Sequence, residues 1–199
     1  MSKTSISLLE RLRLHPESAD WKRLVELYTP LVRRWLLRQD VPAADADDLT
    51  QDVLGVVVRE LVDFQHNQRP GAFRAWLRAI TVNRLRGYWR GRQHSPQAGG
   101  DSDAARRLEQ LEDPHSSLSQ LWDQEHDRYV LDQLMKLIEP EFPVAWWQAF
   151  RRHVVEGARA SEVAKELDVS VNVVLLCKSR ILRRLRQEAA GLVDETSIS

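Results

Sequence analysis

Two amphipathic stretches separated by only three residues lie between Ser161 and Arg186, and no other segment restricts the possible folds as tightly. The first runs from Ser161 to about Leu167, with Ser161 placed to cap it and Glu162 in its first turn, where the helix dipole favours an acid. After Asp168-Val169-Ser170, Ser170 caps a second helix. Its apolar residues Val174, Cys177, Ile181 and Leu185 recur at i, i+3, i+7 and i+11, one continuous stripe. The opposite face carries Asn172, Leu176, Ser179 and Arg183. Lys178, Arg180, Arg184 and Arg186 flank it, and no acid occurs between Val169 and Gln187. This is the pattern of a helix-turn-helix whose second helix suits a DNA major groove. The competing reading is an ordinary helical pair with a solvated basic face, because no single side chain reports a base contact. Asp168 stands where such turns often place Gly for its positive φ, a conformation that Asp tolerates better than most residues.

A net charge of zero, from 29 basic and 29 acidic residues, conceals an uneven distribution. Phe73 to Arg92 holds six Arg and no acid, and Lys178 to Arg186 holds five basic residues and no acid. Asp101 to Asp127 holds eight acids against two Arg. Two basic patches are therefore separated by an acidic connector. Sustained alternation of β-branched residues is missing, so the expected class is all-α. The single Cys177 leaves no intramolecular disulfide or multi-cysteine zinc site, and reads as a small core residue. No apolar run of membrane length and no signal-peptide pattern is present, so the expected location is the cytoplasm, with no membrane partner. The six His are scattered, and no phosphate loop or nucleophile constellation appears, which argues against an enzyme and against a cofactor or metal.

The expected organisation is two small helical domains on a flexible acidic linker, with boundaries at 5–92, 93–124 and 125–190. In the first domain, Ser7-x-x-Glu10 makes a capping box for a helix ending before Pro16. Ser18 caps a second helix that Pro30 should kink. Asp45 caps a third helix from Ala46 to about Asp63, and a fourth runs from Ala72 to about Arg92. Residues 93–124, opening on Gln97-Ala98-Gly99-Gly100 and interrupted by Pro114, read as linker with transient helix around 104–111. Helices near 125–139, 143–156, 161–167 and 170–190 complete the chain.

The third helix puts Asp48, Gln51 and Asp52 on one side, with Leu49, Val53, Val56, Val57 and Leu61 toward the core. Asp45, Asp47 and Asp48 are explained by the helix dipole alone, but Asp52 lies too far in for that. The fourth helix, FRAWLRAITVNRLRGYWRGR, interleaves Arg with aromatics. Phe73, Trp76, Leu77 and Ile80 form one face, and Leu85, Tyr88 and Trp89 form another, rotated by roughly 100–140° at about 100° per residue. Either a neighbour covers the second face or its aromatics are offered to bases, in the manner of single-strand binders.

Taken together, these segments resemble an extracytoplasmic-function (ECF) sigma factor, the two-domain bacterial initiation subunit of RNA polymerase. DADDLTQDV at 45–53 is similar to the family's helix that docks on the clamp of the largest polymerase subunit. FRAWLRAITVNRLRGYWR at 73–90 resembles its promoter-melting and −10-reading helix, preceded by a loop at 65–71 where an unpaired base is captured. WWQAFRRHVVEGARASEVAKELDVSV resembles its C-terminal −35 reader.

The resemblance implies a four-helix promoter-melting domain and a helix-turn-helix domain, with core RNA polymerase and promoter DNA as partners. The polymerase contact would comprise Asp45, Asp48, Leu49, Gln51 and Asp52. The −10 contact would comprise Arg74, Arg78, Asn83, Arg84, Arg86, Tyr88, Trp89 and Arg90. The −35 contact would comprise Ser170, Asn172, Leu176, Lys178, Ser179, Arg180 and Arg183. The Trp146-Trp147 pair adds aromatic surface for the flap of the second polymerase subunit or for an anti-sigma protein. Asp168, and Leu175 and Leu176 at positions that are often polar, depart from the family pattern. Two other readings stay open: a stand-alone helix-turn-helix regulator with a helical effector domain, and a helical adaptor that binds only protein.

Overall fold

A computed structural model describes residues 7–14, 20–64, 71–93, 102–194 and 198. Among these residues the structure is helical with no strand, and nine α-helices follow one another. They are α1 (Leu8–Leu14), α2 (Asp20–Arg38), α3 (Ala43–Glu60), α4 (Ala72–Gln93), α5 (Ser102–Glu112), α6 (Ser117–Ile138), α7 (Val144–Phe150), α8 (Ala160–Glu166) and α9 (Val171–Ala189). A single 3₁₀ turn, Glu139–Glu141, precedes α7, and a π turn, Arg151–Val155, follows it.

α2 is the axle of the first helical group. Leu24, Leu27, Tyr28, Leu31, Val32, Trp35 and Leu36 repeat at three- and four-residue intervals, and all are buried. The helix continues through Pro30. Glu26 and Pro30 are both exposed, so the carbonyl that loses its helical partner belongs to a solvent-facing residue. Asp40, in the left-handed region at φ 59°, turns the chain into α3. α3 begins at Ala43 behind Pro42, whose fixed φ of −55° suits a helix entrance; Asp45 lies inside the helix and is not its cap. Ser7 caps α1 as its spacing suggested, accepting from the Glu10 amide at 3.3 Å. The expected Ser18 cap lies outside the described residues.

The span read as a flexible linker contains α5 and the first turns of α6. Ser116 caps α6, its Oγ accepting from the Ser119 amide at 3.0 Å, and one unbroken helix crosses the boundary drawn at 124–125. The cause is apolar content that the acids obscured. Leu108, Leu111 and Trp122 are all buried, and Trp122 packs on Trp35 with ring centroids 4.6 Å apart. Leu111 of α5 and Trp122 of α6 thereby meet Val82 and Leu85 of α4 beside Trp35 and Leu36 of α2. One apolar core continues from Leu8 through α6 to Leu185 and Leu192, and a smaller one joins Ala149, Val163, Ala164, Val174 and Cys177.

Candidate nucleic-acid interface

The helix-turn-helix is α8 and α9. α8 starts one residue earlier than expected, at Ala160, and the Arg159 amide donates to the Glu162 carboxylate at 3.2 Å; Ser161 is not the cap. Asp168 has φ 50°, the left-handed conformation the turn demands, and the Val169 amide closes the turn on the Ala164 carbonyl at 2.9 Å. Ser170 caps α9, accepting from the Val173 amide at 3.3 Å. Val174 and Cys177 are sealed against Val163 and Ala164, and burial pushes the Cys177 thiol up. This packing turns Val171, Asn172, Leu175, Leu176, Ser179, Arg180 and Arg183 outward. Lys178 is half-buried, and the Arg180 guanidinium lies 5.4 Å from the centroid of the Trp146 ring. Trp147 belongs to the core beside Phe142 and Phe150. Arg184, read from sequence as a basic flank, is held by Glu141 and Glu188, both at 2.7 Å.

On α3, Asp48, Gln51 and Asp52 are exposed on one face, and among the described residues neither carboxylate has an ion-pair partner. A shallow groove between α2 and α3, lined by Val25, Thr29, Leu54 and Val58, runs beside Gln51. Two members of the expected docking set are placed differently. Leu49 is buried in the core. Asp45 is half-buried and tied to α4, accepting from the Tyr88 hydroxyl at 2.5 Å and from Arg92 at 3.3 Å.

α4 divides the expected −10 set into two groups. Asn83, Arg84 and Arg90 are exposed, and Gly87 and Gly91 lie on the same side with open space where a Cβ would stand. The helix backbone there is open to close approach. Tyr88 and Trp89 are half-buried, meeting edge to face at 5.1 Å, and Arg86 pairs with Glu112 on the surface. Arg74 and Arg78 are not offered to phosphates. Only 6% of Arg78 is exposed; it donates to Asp123 at 2.7 Å and to the Ser119 carbonyl at 3.4 Å. Arg74 binds Asp123 at 3.2 Å and also Asp127. Gly71, at φ 71°, makes room for this: a Cβ there would lie 2.8 Å from the Arg74 guanidinium. Residues 65–70 of the expected base-capturing loop lie outside the described residues.

The carboxylates holding those arginines belong to a buried seam between α6, α2 and α4. His126 is fully buried. Its Nδ1 lies 2.9 Å from Asp127 and its Nε2 3.2 Å from the Tyr28 hydroxyl. The neutral imidazole with its proton on Nδ1 satisfies both contacts, donating to Asp127 and accepting from Tyr28. Burial pushes His126 below its ordinary value, against the opposing pull of Asp127. Burial alone would raise Asp127, but hydrogen bonds from His126 and Arg74 outweigh it and hold the carboxyl below its usual range. Asp123, with burial dominant over the attraction of Arg74 and Arg78, is raised. Sequence reasoning missed these residues, because an Asp or His on a helix is assigned to solvent unless its counterpart on another helix is known.

Among the described residues no cluster of three His, Cys, Asp or Glu could hold a metal ion, and no helix is long and apolar enough to cross a membrane. Residues 24–95, spanning α2 to α4, match the family described as Sigma-70 region 2. A search of curated proteins found no significant match.

Proposed function

We propose that the chain, whose residues 24–95 match Sigma-70 region 2, is a sigma factor for RNA polymerase of the extracytoplasmic-function type, gripping core polymerase through α3 and reading promoter DNA through α4 and α9. One observation carries the reading: a chain with region 2 also presents a helix-turn-helix whose exposed face bears Asn172, Ser179, Arg180 and Arg183 without an acid. The open carboxylates Asp48 and Asp52, with Gln51, form the docking face for the clamp of the largest polymerase subunit. Asn83, Arg84 and Arg90 meet −10 DNA beside the accessible backbone of Gly87, and α9 enters the −35 major groove near the flap of the second subunit. Arg74 and Arg78 drop out of the phosphate contact, because they hold α6.

Arg86 stays in the phosphate set, since an exposed pair such as Arg86–Glu112 is worth about 1 kcal/mol or less and a phosphate displaces the carboxylate cheaply. No covalent step is required. Opening the duplex costs a few kcal/mol per unstacked base, which contacts to phosphates and stacking on aromatics offset. The site of action is the cytoplasm, where polymerase is.

The test is capture of core RNA polymerase by the wild-type chain and by the Asp48→Arg/Asp52→Arg variant, followed by transcription start mapping. Wild type is expected to retain core enzyme and initiate at discrete starts, and the variant to lose both. Failure of wild type to bind core enzyme overturns the proposal, and equal binding by the variant removes the docking face. Specific duplex binding by a dimer without polymerase would restore the stand-alone regulator.

A further inference from the structure

Leu175 and Leu176 are the anomaly of the α9 surface. They are 46% and 43% exposed at the centre of a face that is otherwise polar or basic, and Val171 extends the apolar strip one turn toward the helix start. The strip is not needed for folding, because Val174, Cys177, Ile181 and Leu185 already seal α9 against its neighbours. Its surroundings select the occupant. Asn172 precedes the pair, Ser179, Arg180 and Arg183 follow it, and no acidic side chain lies on α9 before Glu188. An apolar peptide gains nothing from such a basic rim, whereas a phosphate-flanked groove does.

In a DNA major groove, the apolar group that a branched aliphatic side chain can meet is the C5 methyl of thymine. Leucine offers no hydrogen bond to guanine or cytosine edges, and facing their polar groups would strand them without partners. Resting on the proposed −35 reading, we infer that Leu175 and Leu176 select thymine methyls, so that the centre of the upstream element is a run of A·T pairs read by apolar contact. Asn172 suits an adjacent adenine edge, and Arg180 and Arg183 supply the flanking polar and phosphate contacts. The inference therefore names the base class that this reader takes.

The test uses holoenzyme assembled from a bacterial core polymerase and the full chain. A randomised duplex library is selected with wild type and, in parallel, with Leu175→Ala/Leu176→Ala, whose surface alanines favour the helix. The upstream positions whose preference the leucines control are then resynthesised with deoxyuridine for thymidine, which removes the methyl and keeps every hydrogen-bonding group. The expected result is thymine at those positions and a loss of about fourfold in wild-type affinity for each methyl removed, the equivalent of about 0.8 kcal/mol. The alanine variant should bind the thymidine and deoxyuridine duplexes alike. Guanine or cytosine at those positions, or deoxyuridine without effect on wild type, overturns the inference while the upstream enrichment leaves the proposed function standing. No enrichment with wild type overturns the proposed function, and the inference falls with it.

Discussion

The seam between α6 and the α2–α4 pair gives the sharpest quantitative test of how this chain is held together. Asp127, whose side chain is 7% exposed, accepts from His126 at 2.9 Å and pairs with Arg74. In Asp127→Ala the fully buried His126 Nδ1–H loses its acceptor, which costs about 1–3 kcal/mol. Arg74 loses its closer carboxylate in a site where removing one member of a buried pair costs about 3–5 kcal/mol. Arg74 keeps Asp123 at 3.2 Å, so the ionic loss falls below that range, and we expect a total near 3 kcal/mol. Asp127→Asn keeps one acceptor oxygen for His126 but turns an amide donor toward Arg74, which retains Asp123, so it should cost about half as much. For a chain of 199 residues, these correspond to falls in Tm of about 6–12 °C and about 3–6 °C. Urea unfolding at neutral pH, followed by far-ultraviolet circular dichroism, should show the two midpoints in that order with an unchanged slope. Equal losses for the two variants, or an alanine loss below about 1 kcal/mol, would show that the seam is loosely held and refute the reasoning.

The same seam sets an acid limit. Burial keeps His126 below its ordinary value, so between that depressed value and about pH 6.5 the unfolded chain binds a proton that the folded chain refuses. Stability is therefore complete above about pH 6.5 and declines as the pH falls below it, and His126→Phe should flatten a plot of urea midpoint against pH across that window. Gly87→Ala should raise the stability of free protein by about 0.5–1 kcal/mol, since space is open for the methyl. In promoter-opening assays with permanganate the same variant should be weaker, because the methyl stands on the side of α4 proposed to approach DNA. Asp168→Val should lower the unfolding free energy by about 1–2 kcal/mol at φ 50°, whereas Asp168→Gly should not; calorimetry distinguishes the two.

What the sequence made legible was set by local rules. The apolar repeats of α2, α3 and α9 survive into the structure because each helix buries its stripe against a neighbour, and stripe and helix share one period. Ser7, Ser170 and Asp168 act where their spacing put them, since caps and turns depend on a few adjacent residues. Asp48, Gln51 and Asp52 were also readable, because the opposite side of α3 is fully spent on the core.

The seam was not legible, and the reason is physical. Ser119, His126 and Asp127 are nearly or fully buried in a helix face that hydropathy scores as polar, and Glu188 is buried in the same way against Arg11 and Arg184. Such faces are stable only when each group finds its counterpart on another helix. Here the counterparts lie far along the chain: Tyr28 is 98 residues from His126, Arg74 is 53 from Asp127, and Arg11 is 177 from Glu188. A periodicity argument reads one helix at a time and assigns an Asp or His to water by default. The run from Asp101 to Asp127 therefore looked like a solvated connector, and Arg74 and Arg78 looked like free phosphate ligands, for one and the same reason. Pairing the surplus acids of one segment with the surplus bases of another, before assigning either to solvent or to a partner, would have exposed both errors together.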